Sequence, residues 1–200
     1  MLEKYLIAYC SPTLASLKPG SLFNFRCPED TDLEGCISSW NELFRLRGIS
    51  LHVLRRTEST ALIYVCRDSA INDILSDPCI RSFLNEFGYD TCYGCDGCSA
   101  SCCSLENCLR HLQTRIAVTD QNGRPSFPHE IGIFLGYPLD DVSGFIKNKG
   151  RNCKLIGPWK VYGDAVSAQK AFAKFEKCSD VYKRLWKSGS RSIMELTVAC

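Results

Sequence analysis

No run of about 18 consecutive apolar residues, the length a membrane-spanning helix requires, occurs in the 200-residue sequence. Its opening, MLEKYLIAYCSPT, lacks the basic flank, long apolar core and small-residue cleavage site of a secretory leader. These absences lead to the expectation of a cytoplasmic protein with no membrane partner. Glycine-rich phosphate loops, G-x-S-x-G elbows and H-E-x-x-H pairs are also missing, which leaves three common motif-borne chemistries without an anchor. There is no internal repeat, low-complexity tract or clear linker. One domain over residues 1–200 is the simplest organisation, with 90–112 as a cysteine-rich, insertion-like segment.

Cysteine, by contrast, is abundant, with 14 in the chain. In a reducing cytosol an even count does not imply a disulfide framework. Eight of them (Cys10, Cys27, Cys36, Cys66, Cys79, Cys153, Cys178 and Cys200) are scattered and read as small buried hydrophobes. The other six crowd into TCYGCDGCSASCCSLENC. Thiolates packed so closely repel one another unless a metal or a disulfide neutralises them.

Three readings of that run compete. Cys92, Cys95, Cys98 and Cys102 reproduce C-x-x-C-x-x-C-x-x-x-C, the run that holds iron–sulfur clusters in bacterial ferredoxins. In two-cluster ferredoxins, however, the fourth cysteine is followed by proline and a second run exists; here Cys103 follows and there is no second run. Cys92-x-x-Cys95 with Cys108-x-x-His111 instead has the spacing of a structural zinc site, and residues three apart on a helix can face one ion. The third reading is a loop of reduced thiols with no cofactor at all.

Charge is uneven. Residues 1–146 carry 12 Lys/Arg against 18 Asp/Glu, whereas residues 147–200 carry 12 against 4. A basic C-terminal helix bearing Lys174, Lys177, Lys183 and Lys187 suits an acidic partner, such as a flavodoxin-like redox protein, or is simply a solvated face. Nucleic acid is disfavoured, because no aromatic single-strand platform or zinc-finger reading helix accompanies the charge. Oligomeric state is not legible.

Local patterns predict a short helix or strand over Glu3–Tyr9, a helical turn over Thr13–Leu17 and a strand over Ser21–Arg26. A helix over Asp32–Arg47 precedes a hairpin of Ile49–Arg55 with Ala61–Cys66. Two short helices broken near Asp77-Pro78 follow, then a helix capped by Ser104 and running to about Ile116. Ile131–Leu135 reads as a strand, Leu139–Lys147 as a helix and Trp159–Tyr162 as a strand. Asp164 caps a long helix through Lys187, and Ile193–Ala199 closes the chain as a strand. Strands and helices interleave, so the fold class is α/β or α+β, with a mixed β-sheet flanked by helices.

Outside the cysteine run, His129 and Glu130 adjoin Pro128 at the expected strand entrance, as an acid/base pair, as metal ligands or as a turn organiser. Cys10, ahead of Pro12-Thr13 and the expected helical turn, is placed where a helix N-terminus lowers a thiol's pKa; a buried packing cysteine is the alternative. Lys18 and Lys160 are anion-binding or snorkelling lysines.

Several blocks carry a resemblance: CSPTLASLKPGSLF, ALIYVCR, FPHEIGIFLGYPLDDVSGFIKNKGRNCK, WKVYGD and KFEKCSDVYKRLW with the LTVA ending. Through them nearly the whole chain resembles the family of unknown function numbered 3793, found mainly in anaerobic Firmicutes. The resemblance implies a small cytosolic protein with no assigned activity, hence no catalytic residues to carry over. It directs interest to Cys10, His129, Glu130, Tyr137, Lys160 and Tyr162, and it implies that the 89–112 stretch is a more variable elaboration.

Three functional expectations follow. The first is a redox or metal-handling accessory protein using the cysteine run. The second is an enzyme whose site assembles from Cys10, His129, Glu130 and Lys160. The third is a non-catalytic module that docks through its basic helix.

Overall fold

The structure, a computed structural model, describes residues 1–28, 31–90, 104–117 and 127–199. Helix α1 (Leu2–Leu14) precedes strand β1 (Gly20–Arg26). Asp32 caps α2 (Leu33–Phe44), its carboxylate accepting from the Gly35 amide at 2.9 Å, and a 3₁₀ turn follows. Strands β2 (Ile49–Arg56) and β3 (Thr60–Arg67) then form a hairpin. Helices α3 (Asp68–Ser76), α4 (Pro78–Asn85) and α5 (Leu105–Ala117) come next, followed by α6 (Ile131–Phe134) and α7 (Leu139–Lys147). A small ribbon of β4 (Leu155–Ile156) and β5 (Lys160–Val161) leads into α8 (Ala165–Lys187) and α9 (Ile193–Leu196). Among the described residues no helix is long and apolar enough to cross a membrane.

The fold is α+β. Its main sheet has the order β1-β3-β2, with β3 antiparallel to both neighbours. β1 and β2 point the same way but never touch, because β3 folds back from β2 and fills the gap between them. The expected mixed sheet is therefore an antiparallel one: the hairpin, the most local connection available, decided the pairing.

Alternation along the strands sorts side chains between two cores. Phe23, Phe25, Ile49, Leu51, Ile63 and Val65 join one cluster with α1, α2 and the C-terminal helices. Leu62, Tyr64 and Cys66 join the other, with α3, α5, α6 and α7. A bulge between Val53 and Arg55 adds one residue to β2 and lets Leu54 enter the second cluster.

Two polar tethers close the cores. Arg67, only 1% exposed, donates from Nε to the Thr13 carbonyl at 2.7 Å and from Nη2 to the carbonyls of Leu14 at 2.7 Å and Val198 at 2.8 Å. The negative end of the α1 dipole thus supplies partners for this buried charge. On the opposite face the Tyr64 hydroxyl donates to the Phe134 carbonyl at 2.6 Å. Gly20 makes room for this bond, since a Cβ there would lie 2.4 Å from the Phe134 oxygen.

Three local expectations are corrected. Residues 131–134 are helical, with the Gly132 amide donating to His129 O and the Ile133 amide to Glu130 O. This run is buried on every side, so its apolarity carries no period to separate strand from helix. Residues 193–196 are also helical, started by a capping box in which Ser192 and Glu195 satisfy each other's backbone amides. Finally, α1 runs uninterrupted through Cys10 and Pro12 to Leu14, so Cys10 lies inside a helix and not at a helix start.

Candidate functional site

The densest group of chemistry-bearing side chains lies on the second face of the sheet and was not read from the sequence. Register builds it. Ser50 pairs directly with Cys66 across β2 and β3, and His52 projects two residues further along the same face. Asp68, two residues past Cys66, begins α3. The Ser50 hydroxyl donates to Asp68 Oδ1 at 2.5 Å and lies 2.8 Å from His52 Nε2 and 3.4 Å from Cys66 Sγ. One ligand atom from each of His52, Cys66 and Asp68 falls within 4.8 Å of the others. The cluster borders a cleft also lined by Asn72, Ser104, Leu105 and Glu106.

Burial pushes the Cys66 thiol up to about 12, with Asp68 adding to the effect and the Ser50 bond opposing it. Burial likewise lowers His52, partly offset by Asp68 and Glu106, which favours the neutral imidazole. Serine, histidine and aspartate are not arranged as a nucleophilic relay here. In such a relay the imidazole stands between hydroxyl and carboxylate, whereas here the hydroxyl stands between the other two. An imidazole nitrogen, a thiol and a carboxylate converging beside a cleft are instead the donor set of a borderline-soft divalent ion.

The residues expected to form an enzyme site are not brought together. Cys10 is fully buried in the first cluster, and burial drives its thiol well above the usual range, with nearby Lys18 and a bond to Ser21 opposing this. His129 lies beyond the second cluster, exposed, its ring edge-on to Phe145 at 4.8 Å between centroids. Glu130 turns inward, is 1% exposed, and is bound by the Arg115 guanidinium and by the Tyr89 hydroxyl at 3.4 Å. That carboxylate is committed to an internal ion pair, and Tyr89 is pushed up by burial and by Glu130. Of the four candidates, His129 and Lys160 line one cavity.

That cavity, about 390 Å³, lies between α6, α7 and the β4–β5 ribbon. Tyr137 and Trp159 stack along one wall with centroids 4.7 Å apart, and Phe172 of α8 meets Trp159 edge-on. Asp141, 3% exposed, organises this wall. It accepts from Trp159 Nε1 and from the amides of Tyr162 and Gly163, each at 2.7 Å. Gly144 lets α7 close on the ribbon, since a Cβ there would lie 2.6 Å from Tyr162. The Tyr162 hydroxyl is buried without a hydrogen-bond partner among the described residues. The expected motif residues FPHEIGIFLGYP and WKVYGD thus meet around one hollow.

Cys92, Cys95, Cys98 and Cys102 lie outside the described residues. Their expected zinc partners, Cys108 and His111, sit on α5 and line one small cavity together. His111 Nε2 lies 3.0 Å from the Phe87 carbonyl, and its ring packs on Tyr89. Lys174, Lys177 and Lys187 are exposed on α8 and Lys183 is half-buried, while Tyr182, Leu185 and Trp186 of the same helix pack on the first core.

Among known proteins, the model of one family, described as "Protein of unknown function (DUF3793)", matches residues 6–197. No curated protein and no solved structure matches the chain.

Proposed function

We propose that this chain, which belongs to the family of unknown function 3793, is a metal-handling accessory protein. The observation that carries the reading is the convergence of His52, Cys66 and Asp68 within 4.8 Å beside an open cleft. Three protein ligands with an accessible fourth position suit a zinc-class ion that exchanges or engages a further ligand; a closed structural site would have four. The Ser50 hydroxyl sits at the focus of the three, so turning its side chain away frees the central position. The reading also agrees with the cysteine run, whose members supply either an iron–sulfur cluster or, with Cys108 and His111, a second zinc site. Ser104, next in sequence to Cys103, lines the cleft beside His52.

Anaerobic purification with elemental analysis tests the whole reading. Near-stoichiometric zinc or iron supports it, and a protein free of both overturns it. Cobalt titration tests the sheet site separately. A thiolate-to-cobalt absorption band retained when the six cysteines of the run are changed to serine, and lost in Cys66→Ser and His52→Ala, is the expected pattern. A band that disappears with the run alone removes the sheet site.

A further inference from the structure

The aromatic hollow at the β4–β5 ribbon is independent of the metal reading, and we infer that it is a binding site for a small planar aromatic carboxylate. Size comes first. At about 390 Å³ the cavity falls in the range of small-molecule sites. It is lined by ring faces and aliphatic groups, with Trp159 and Tyr137 on one wall and Phe145 on another. Flat apolar ligands gain most from such walls, because ring-on-ring contact adds to the burial of area.

Charge identifies the second half of the ligand. Besides the Tyr137 phenol, which burial keeps protonated, three ionisable side chains line the cavity: Asp141, His129 and Lys160. The Asp141 carboxylate, 3% exposed, already accepts from three N–H donors at 2.7 Å, so its charge is spent on holding the Trp159 wall. Lys160 is placed differently. Its ammonium is anchored by one bond to the Gly150 carbonyl at 2.7 Å and stands 5.8 Å from the Phe145 ring centroid. An ammonium has three donors, so two remain for a ligand. His129, whose ring edges the same Phe145, adds a second polar group at the rim. The surrounding segment 140–164 carries Lys147, Lys149, Arg151, Lys154 and Lys160 against Asp140, Asp141 and Asp164, a net positive balance. An apolar slot with a prepositioned cation matches an aromatic ring bearing one carboxylate, and disfavours a cationic or neutral ligand of the same shape.

Calorimetric titration of the full chain with 2-naphthoate and with its neutral counterpart 2-naphthamide tests both halves. The expected result is one-to-one binding of naphthoate, tighter than the amide by about tenfold or more, the size of a charge-assisted hydrogen bond. Lys160→Gln brings naphthoate down to the affinity of the amide and leaves the amide unchanged. Ile156→Trp fills the mouth from an exposed position, where the fold tolerates bulk, and abolishes both. Equal binding of the two compounds, or an unaltered preference in Lys160→Gln, overturns the carboxylate assignment. Binding that survives Ile156→Trp, or no binding of either compound to the unaltered chain, overturns the site. None of these outcomes depends on the occupancy of the sheet cluster, so this inference and the metal reading fail separately.

Discussion

The two faces of the β1-β3-β2 sheet use the same strands for opposite purposes. On the α1 side, Ile63 and Val65 enter a sealed apolar core, and the polar group at its edge, Arg67, is consumed by backbone carbonyls. On the other side, Tyr64 and Cys66 of the same strand lead to the Ser50–His52–Asp68 group and to a cleft. One residue of register separates a position in the sealed core from one that faces a polar group and a cleft. Cysteine makes the contrast sharp. Cys10 and Cys66 are both fully buried by area, yet Cys10 has the Ser21 hydroxyl and the Lys18 ammonium beside it, while Cys66 meets Ser50, Asp68 and His52. Burial alone therefore says little about whether a thiol is available to a metal.

The comparison can be broken most forcefully at Arg67. Arg67→Met removes the charged donor shared by the carbonyls of Thr13, Leu14 and Val198, the first two of which keep a backbone amide each, and should cost about 2–3 kcal/mol, read as a lower urea midpoint with unchanged slope. A loss below about 1 kcal/mol would mean that the sealed face does not depend on its polar tether.

Adjacent residues of β3 give the next test. Val65→Ala should cost about 2–3 kcal/mol and leave the cobalt band intact. Cys66→Ala should cost about 1 kcal/mol and remove the band. If the two variants affect stability and cobalt alike, the faces are not functionally distinct.

Lys18 reports on the seam between the faces. Burial lowers it to about 8, although its ammonium stands 5.2 Å from the Tyr137 ring centroid. A lysine depressed in the folded state binds fewer protons folded than unfolded between its two pKa values. Stability should therefore rise as pH goes from about 8 towards 10.5. The gain should be about 2 kcal/mol once the attraction of the ring is set against burial. Lys18→Met should remove that rise and be the more stable protein at neutral pH, as chemical denaturation across the pH series would report.

The smallest effect belongs to α8. Changing Lys174, Lys177 and Lys187 to glutamine should alter stability by less than about 0.5 kcal/mol, because they contribute only to the solvated face. If the basic helix docks an acidic partner, the same variant should lose pull-down of a flavodoxin-like protein at low salt.

Local signals made much of this fold legible. Ser104 and Asp164 cap the helices they were expected to cap, with the Asn107 amide 3.2 Å from Ser104 Oγ and the Val166 amide 2.9 Å from Asp164 Oδ1. The hairpin and the break at Asp77-Pro78 were equally readable. The errors came where local signals fail. A fully buried run such as Ile131–Leu135 has no polar face from which a period can be read. The α9 helix did carry a signal, Ser192-x-x-Glu195, but it was outweighed by the apolar ending around it. The sheet cluster could not be found from spacing, because Ser50 and Cys66 are neighbours only once the register is known. Nor could the separation of Cys10 from His129 be read, because it depends on which face of the sheet each element covers. The aromatic hollow was half legible: its motifs stood out as blocks, but the Asp141 bonds that join them are contacts over about twenty residues.

The Arg67 clamp has a consequence for how the chain is made. Its Val198 partner lies 131 residues downstream, and Glu3 of the first helix accepts from Trp186 across 183. A ribosome emits residues in order, so the first helix and the sheet leave the exit tunnel long before their last partners exist. Until then Arg67 lacks its Val198 partner and α1 lacks the cover of α8. The core around α1 can therefore be completed only once residues 186–198 have been made, so its closure is a late event in synthesis.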